Sequence, residues 1–387
     1  MADNKDKKVL NVPALRFPEF SGEWNTSSIE EQFELYSGNT PSRMDKKQFD
    51  GTVNWITSGE LKEHYIADTK EKISDEAVKS NNLKLLPVGT FVIAIYGLEA
   101  DGVRGTCSIT ASESTISQAC MAFISKKDIA NEFLYAWYKK HGNVIGIRYA
   151  QGTKQQNLSY DIIEKFNISY PCIEEQKKLI RFISLIDERI ATQNKIIEDL
   201  KKLKSAIYQE MFGSLVAQTL KLGQVAEVVK GKQVNGTELL EQGAYYVMNG
   251  GTLPSGWLNK YNTEANTISI SEGGNSCGYV QYNTSPYWSG GHCYSLKILH
   301  PQETSDLYLY HFLKWQEENI MALRIGSGLP NIQKKDLLHF PVILPTITQQ
   351  NKIVLILSAI EEKVSCEISI TQYFVKQKEY LLSQLFI

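Results

Sequence analysis

The side chains best placed to do chemistry in this chain are polar groups set in glycine-containing loops, and the chemistry they suit is contact with nucleic acid. In the first half these loops are Ser37 to Arg43, Thr57 to Glu60, Gly97 to Gly105, and Arg148 to Gln156. In the second half they are Lys230 to Asn235, Asn249-Gly250, Gly273 to Ser276, and Arg324 to Ser327. Arg, Lys, Asn, Gln, Ser and Thr bond to base edges and phosphates, and glycine lets a backbone come close. The candidate contacts are therefore Arg43, Thr57, Ser58, Glu60, Arg104, Arg148, Thr153, Lys154 and Gln155, then Lys230, Lys232, Asn249, Asn275, Ser276, Arg324 and Ser327. Each loop alone is more often just a solvated turn. Recurrence in both halves sets the group apart.

Patterns for catalysis are missing. No Gly-x-x-x-x-Gly-Lys-[Ser/Thr] phosphate loop occurs, and no Gly-x-Gly-x-x-Gly follows a predicted strand. An amino-methyltransferase needs an Asn/Asp-Pro-Pro-aromatic loop, and the nearest string, Ser285-Pro-Tyr-Trp288, has one proline. Asp199-Leu-Lys201 matches half of a nuclease pair but falls on the outer face of a predicted helix. His292-Cys293 with Cys277 lacks metal-ligand spacing, because neighbours on a strand point to opposite faces. Ser289-Gly-Gly291 lacks the glycine two places before the serine that a nucleophile elbow requires. The sequence thus predicts no catalytic residue, no metal site and no cofactor of its own.

Composition narrows the class further. The 387 residues suit two or three domains, and the longest apolar runs, such as Phe91 to Ile95, are too short to span a bilayer. Residues 1–9 hold no apolar core of a secretory signal, and six scattered cysteines without a Cys-x-x-Cys pair fit a reducing cytoplasm. A formal charge of -2 and a pI near 6.4 argue mildly against a nucleic-acid binder acting alone. Partner subunits that take much of the phosphate contact would remove that objection.

The elements that must position these loops are two long helices. Apolar residues recur at steps of four and three: Leu179, Ile183, Ile186, Ile190, Ile197, Leu200, Ile207 and Met211. This is the narrow seam of a coiled coil. Adding 174 to each number gives Ile353, Leu357, Ile360, Val364, Thr371, Phe374, Leu381 and Leu385. The register holds from Gly152/Gly326 through Asn157/Asn331, Pro171/Pro345 and Gln176/Gln350 to Phe212/Phe386. Gln193, Glu367, Lys204 and Lys378 interrupt the seam, either fixing its register or reaching solvent. The chain is a tandem duplication, with a helix over Glu174 to Phe212 and Gly213 as its cap.

The globular halves repeat the order of elements more than their identity. In the first, Val12 to Phe20 reads as an extended strap and Ile29 to Tyr36 as a short strand or helix. Val53 to Ile56, Phe91 to Tyr96, Ile116 to Ile124 and Phe166 to Tyr170 read as strands, and Glu132 to His141 as a short helix. Their counterparts are Val225 to Val229, Tyr245 to Met248, Thr267 to Ser271, His292 to Ile298 and the helix Leu307 to Trp315.

Several of these residues resemble the specificity subunits of type I restriction-modification systems. They include Val12 to Phe20 with Gly22-Glu-Trp24, Gly38 to Ser42, Asn54 to Leu61, Gly152-Thr153 with Asn157, and Pro171 with Gln176; in the second copy they are Gly326-Ser327, Asn331, Pro345 and Gln350. The resemblance implies an α+β chain of two mixed α/β target-recognition domains, residues 1–172 and 214–345. They alternate with spacer helices, residues 173–213 and 346–387, packed as an antiparallel coiled coil with a pseudo-two-fold internal repeat. It further implies that each domain reads half of a split double-stranded DNA site, and that the helices dock two modification (methyltransferase) subunits. Restriction subunits would join through these, with S-adenosylmethionine, ATP and Mg on the partners. Thirty-nine residues at about 1.5 Å rise make a rod of roughly 58 Å, which would span one or two DNA turns. The rival readings are a coiled-coil scaffold without DNA contact, which leaves the repeated loops without a purpose, and a lone DNA-modifying enzyme, which lacks its motifs.

Overall fold

The computed structural model describes residues 10–97, 105–126, 128–149, 156–326, 328 and 330–387. They form two compact units, Met1–Thr192 with Ile370–Ile387, and Gln193–Ser369. Both long helices, Ile173–Gly213 and Ile347–Leu385, contribute turns to both units.

In the first unit the continuous apolar run Phe91–Ala94 is buried on both faces and becomes the middle strand of a mixed sheet. Cys120–Ser125 and then Phe33–Ser37 lie on one side of it, Cys107–Thr110 and Tyr65–Ile66 on the other. The helix Asn131–Tyr149 covers one face, placing Phe133, Leu134, Trp137 and Tyr138 in a core with Phe91, Ile93, Ile109 and Phe123. Residues 11–24 strap over this unit: Arg16 pairs with buried Glu175 at 2.7 Å, and the Phe17 and Phe182 rings meet edge-on at 5.9 Å.

Three expectations for the first unit need correction. Ile116 to Ile124 is two strands, because Cys120 N bonds Ser117 O at 3.0 Å and turns the chain. Ser114–Ile116 then pairs in parallel with Val53–Ile56, while Cys120–Ser125 joins the main sheet. The expected strand Phe91 to Tyr96 ends at Ala94, and Tyr96–Gly97 pairs separately with Gln156–Asn157. The short helix continues past His141 to Tyr149, through Gly142 packed beside Gly105, since one glycine costs only about 1 kcal/mol inside a helix. Ile29 to Tyr36 is both expected elements in turn, a helix Ile29–Gln32 and a strand Phe33–Ser37.

The second unit repeats this plan. Its sheet runs Ala226–Lys230, Cys293–Ile298, Thr267–Ser271, Val280–Asn283. Helix Asp306–Trp315, N-capped by Ser305, buries Tyr308, Leu309, Phe312 and Leu313. The registers correspond: Met121 faces Ser37 as Tyr294 faces Lys230, and Cys120 faces Ala94 as Cys293 faces Ser271. Tyr245–Met248 pairs in parallel with Trp288–Ser289, as Val53–Ile56 does with Ser114–Ile116. The chain is a mixed α/β protein of two repeated domains.

One glutamine in each repeat fastens a long helix to its domain. Fully buried Gln176 accepts from Ala130 N at 3.0 Å and donates to Asp128 O and Pro171 O at 2.7 and 3.0 Å. Gln350 makes the same three bonds, with Ser305 N, Glu303 O and Pro345 O, each at 2.8 Å. Replacing either with alanine is expected to cost about 2–4 kcal/mol, because buried partners lose their bonds. A urea titration in which neither variant loses as much as about 1 kcal/mol would contradict this reading.

All the predicted seam positions are buried or half-buried. Their polar interruptions take partners. In the second unit Gln193 bonds Glu367 and Lys204 pairs with Glu361 at 2.6 Å; in the first, Lys378 pairs with Asp187 at 2.5 Å. Asp187 and Glu361 are also 174 apart, so the last two ion pairs are one interaction written twice. The first long helix includes Gly213 instead of stopping before it.

Candidate nucleic-acid interface

In the second unit, five loops meet at one end of the sheet, where the strands Ala226–Lys230 and Thr267–Ser271 finish and Cys293–Ile298 begins. Backbone bonds tie them together: Gly231 N to Cys293 O at 2.9 Å, Gly290 N to Met248 O at 2.8 Å, Glu272 N to His292 O at 2.9 Å, and Gly274 N to Pro330 O at 3.0 Å. Gly231 must be glycine, since a Cβ there would run into Gly290 O. Its counterpart Gly38 is held as closely against Ile116 O. This approach brings Lys230, Lys232, Asn249, Asn275, Ser276 and Arg324 to a common end of the unit.

These side chains differ in what they have free. Lys232, Asn275 and Arg324 are exposed. Asn249 is half-buried, and its Oδ1 accepts from His292 N at 3.1 Å, which fixes the turn before the Cys293 strand. Lys230 donates to Glu272 Oε1 at 2.7 Å, and Tyr294 donates to the same oxygen at 2.9 Å. Burial, and then the bond to Glu272, push the Tyr294 hydroxyl well above its ordinary range, so it stays protonated as a donor. His292 is exposed while Cys293 is buried, so the two point opposite ways.

In the first unit Arg43 lies against Phe49 and Trp55. The Arg43 guanidinium lies 4.7 Å from the Phe49 ring centroid and 5.4 Å from that of Trp55, with Nη2 2.8 Å from Glu71 Oε2. Half of Arg43 remains open to solvent, so the rings orient it without burying it. Thr57, Ser58 and Glu60 form a short turn. The Glu60 carboxylate accepts from Thr57 N at 2.9 Å, Thr57 Oγ1 at 2.8 Å and Lys70 N at 2.7 Å. The Thr-x-x-Glu spacing already carries that capping role. Arg148 lies in the Asn131–Tyr149 helix. Arg104, Thr153, Lys154, Gln155 and Ser327 lie outside the described residues.

Residue-by-residue reading missed two features. One is a cleft of about 430 Å³ at the end of the first sheet, lined by Ser37, Tyr96, Gln118, Met121, Leu158 and Tyr160. The other is Glu272, which is 8% exposed and whose Oε2 has no hydrogen-bond partner among the described residues. The glycines beside it mark the position of Glu272, but nothing in its own neighbourhood signals its burial.

Residues 21–202 and 217–372 each match the family described as the type I restriction modification DNA specificity domain. The chain belongs to this family. It is 37% identical over 144 residues to a Mycoplasma pneumoniae chain named as type I specificity subunit S.MpnORF638P, covering 37% of this chain and 38% of that one. It is 26% identical over 194 residues to the Methanocaldococcus jannaschii type I restriction enzyme MjaIX specificity subunit, covering 49% and 44%. With the Escherichia coli type I restriction enzyme EcoR124I/EcoR124II specificity subunit it shares 27% over 206 residues, covering 51% and 49%. The chain thus spans between a third and a half of the length of these relatives. The crystal structure of the type I restriction-modification system S subunit from M. genitalium has the same fold, with a TM-score of 0.64 at 19% identity over 97% of this chain and 99% of that one.

Proposed function

We propose that this chain is the non-catalytic DNA-specificity subunit of a type I restriction-modification complex. Each unit reads one half of a bipartite double-stranded site. The long helices pair as an antiparallel coiled coil with an approximate internal two-fold, spacing the readers and docking two methyltransferase subunits. S-adenosylmethionine, ATP and Mg belong to those partners and to the restriction subunits that join through them, all in the cytoplasm.

The observation that carries this reading is the duplication of one architecture around unlike loops. The two sheets, the Gln176 and Gln350 clamps and the cross-helix ion pairs repeat, while the side chains at the loop ends differ. A constant frame with divergent tips suits two readers of two sequences. Apolar side chains off the seam, Leu185, Leu203, Leu355 and Tyr373, stand exposed on the helices and suit partner docking. No helix among the described residues is long and apolar enough to cross a membrane.

Methylation mapping tests the proposal. Cells lacking the gene are expected to lose modification at one bipartite sequence, and restoring the gene should restore it. Unchanged modification in its absence would overturn the reading.

A further inference from the structure

We infer that Lys230 and Glu272 act as one reading device for a guanine edge in the half-site of the second unit, with Glu272 as the positioning residue. The inference rests on the DNA-reading role proposed above and goes beyond it by assigning residues and base chemistry.

The fold does not need Glu272. By strand register its counterpart is Ile95, the counterpart of Lys230 is Ser37, and that of Tyr294 is Met121. The first unit builds the same sheet end with these uncharged residues, leaving a cleft there. In the second unit the same place holds a carboxylate that is 8% exposed, with one oxygen unpartnered among the described residues. Burying a carboxylate with an unsatisfied oxygen is unfavourable, and the sheet end forms without one. A residue that opposes stability and is dispensable to the architecture points to function.

Glu272 Oε1 takes hydrogen bonds from Lys230 Nζ at 2.7 Å and Tyr294 Oη at 2.9 Å, so the ammonium is held at the rim by a fixed anchor. About half of the Lys230 side chain is open to solvent, beside the close-packed Gly231 and Gly290. An ammonium has three donors. One is committed to Glu272, which leaves two for the acceptor pair O6 and N7 that guanine shows in the major groove. Because Glu272 offsets its charge, Lys230 adds base discrimination with little non-specific attraction for phosphate. A free lysine would do the reverse.

The test compares the full chain, purified with its methyltransferase partner, with Glu272→Gln in the same complex. A randomised duplex pool is selected and sequenced, and a salt titration is run on one non-specific duplex. Glu272→Gln should lower the preference for one guanine in one half-site by roughly 5- to 150-fold. It should also raise non-specific affinity and steepen its salt dependence by about one phosphate contact. A merely structural role would weaken both kinds of binding. The triple variant Lys230→Ser, Glu272→Ile, Tyr294→Met installs the first unit's residues. It should lose the guanine preference without a change in salt slope. Sequence-selective binding that keeps every base preference in both variants would overturn the inference and leave the DNA-reading role standing. Absence of any bipartite selection by the unmodified complex would overturn both.

Discussion

As pH falls from 6.5 towards 4, the second unit is expected to lose roughly 3 kcal/mol of stability through the single side chain of His311. His311 is 1% exposed, midway along Asp306–Trp315, where that helix packs on the long helices. Its Nδ1 lies 2.6 Å from Tyr208 Oη and its Nε2 3.3 Å from Ser358 Oγ. Burial lowers its pKa from 6.5 to about 4; Glu361 opposes the fall and Lys204 assists it. An unfolded chain takes up a proton near pH 6.5 and the folded one does not. The stabilisation is therefore complete above pH 6.5 and lost as pH drops to about 4. The first unit has Leu382 and Ala136 where the second has Tyr208 and His311, and both are buried. The double variant Tyr208→Leu, His311→Ala copies that apolar solution and should flatten the acid limb of the stability profile. Chemical denaturation across this range checks it; an unaltered acid limb would exclude His311 as its source.

The second large effect concerns an aromatic anchor also written twice. Phe212, 1% exposed, packs on Trp315 at 5.3 Å, Phe312 at 5.6 Å and Tyr308 at 5.8 Å between ring centroids. Phe386, 2% exposed, lies 5.2 Å from Phe133. These residues are 174 apart, and each joins the end of a long helix to the covering helix of one domain. Phe212→Ala and Phe386→Ala should each cost about 3–5 kcal/mol, from lost transfer energy and the cavity left behind. Calorimetry should show both losses. A loss below about 1 kcal/mol in either would mean that the ring is not part of a continuous core.

The parts of this protein that were legible in the sequence are those under a single geometric rule. The helices keep one spacing because their seam must meet every three or four residues, so Leu179 and Ile353, or Gln176 and Gln350, declare themselves by number alone. The globular parts do not keep it. Gly38 corresponds to Gly231, a separation of 193, whereas Ile95 corresponds to Glu272, a separation of 177. Residues were gained and lost in the loops between, and loop length decides which side chain reaches the rim. This explains why Asn249 and Glu60, read as candidate contacts, also hold turns, and why the burial of Glu272 gave no signal. The turn at Ser117 was hidden for another reason: only Ser117 and Gln118 interrupt the apolar residues between Ile116 and Ile124, and Ser114–Ile116 is buried although two of its three residues are polar.

Competitive binding of the assembled complex to duplexes altered in one region at a time tests the central claim most directly. Once methylation mapping has given the site, one duplex is scrambled in the first half-site, one in the second and one in the spacer between. Two readers on a common frame predict strong, comparable losses for either half-site and no loss for the spacer sequence. Binding that survives scrambling of one half-site, or that depends on spacer bases, would contradict the account.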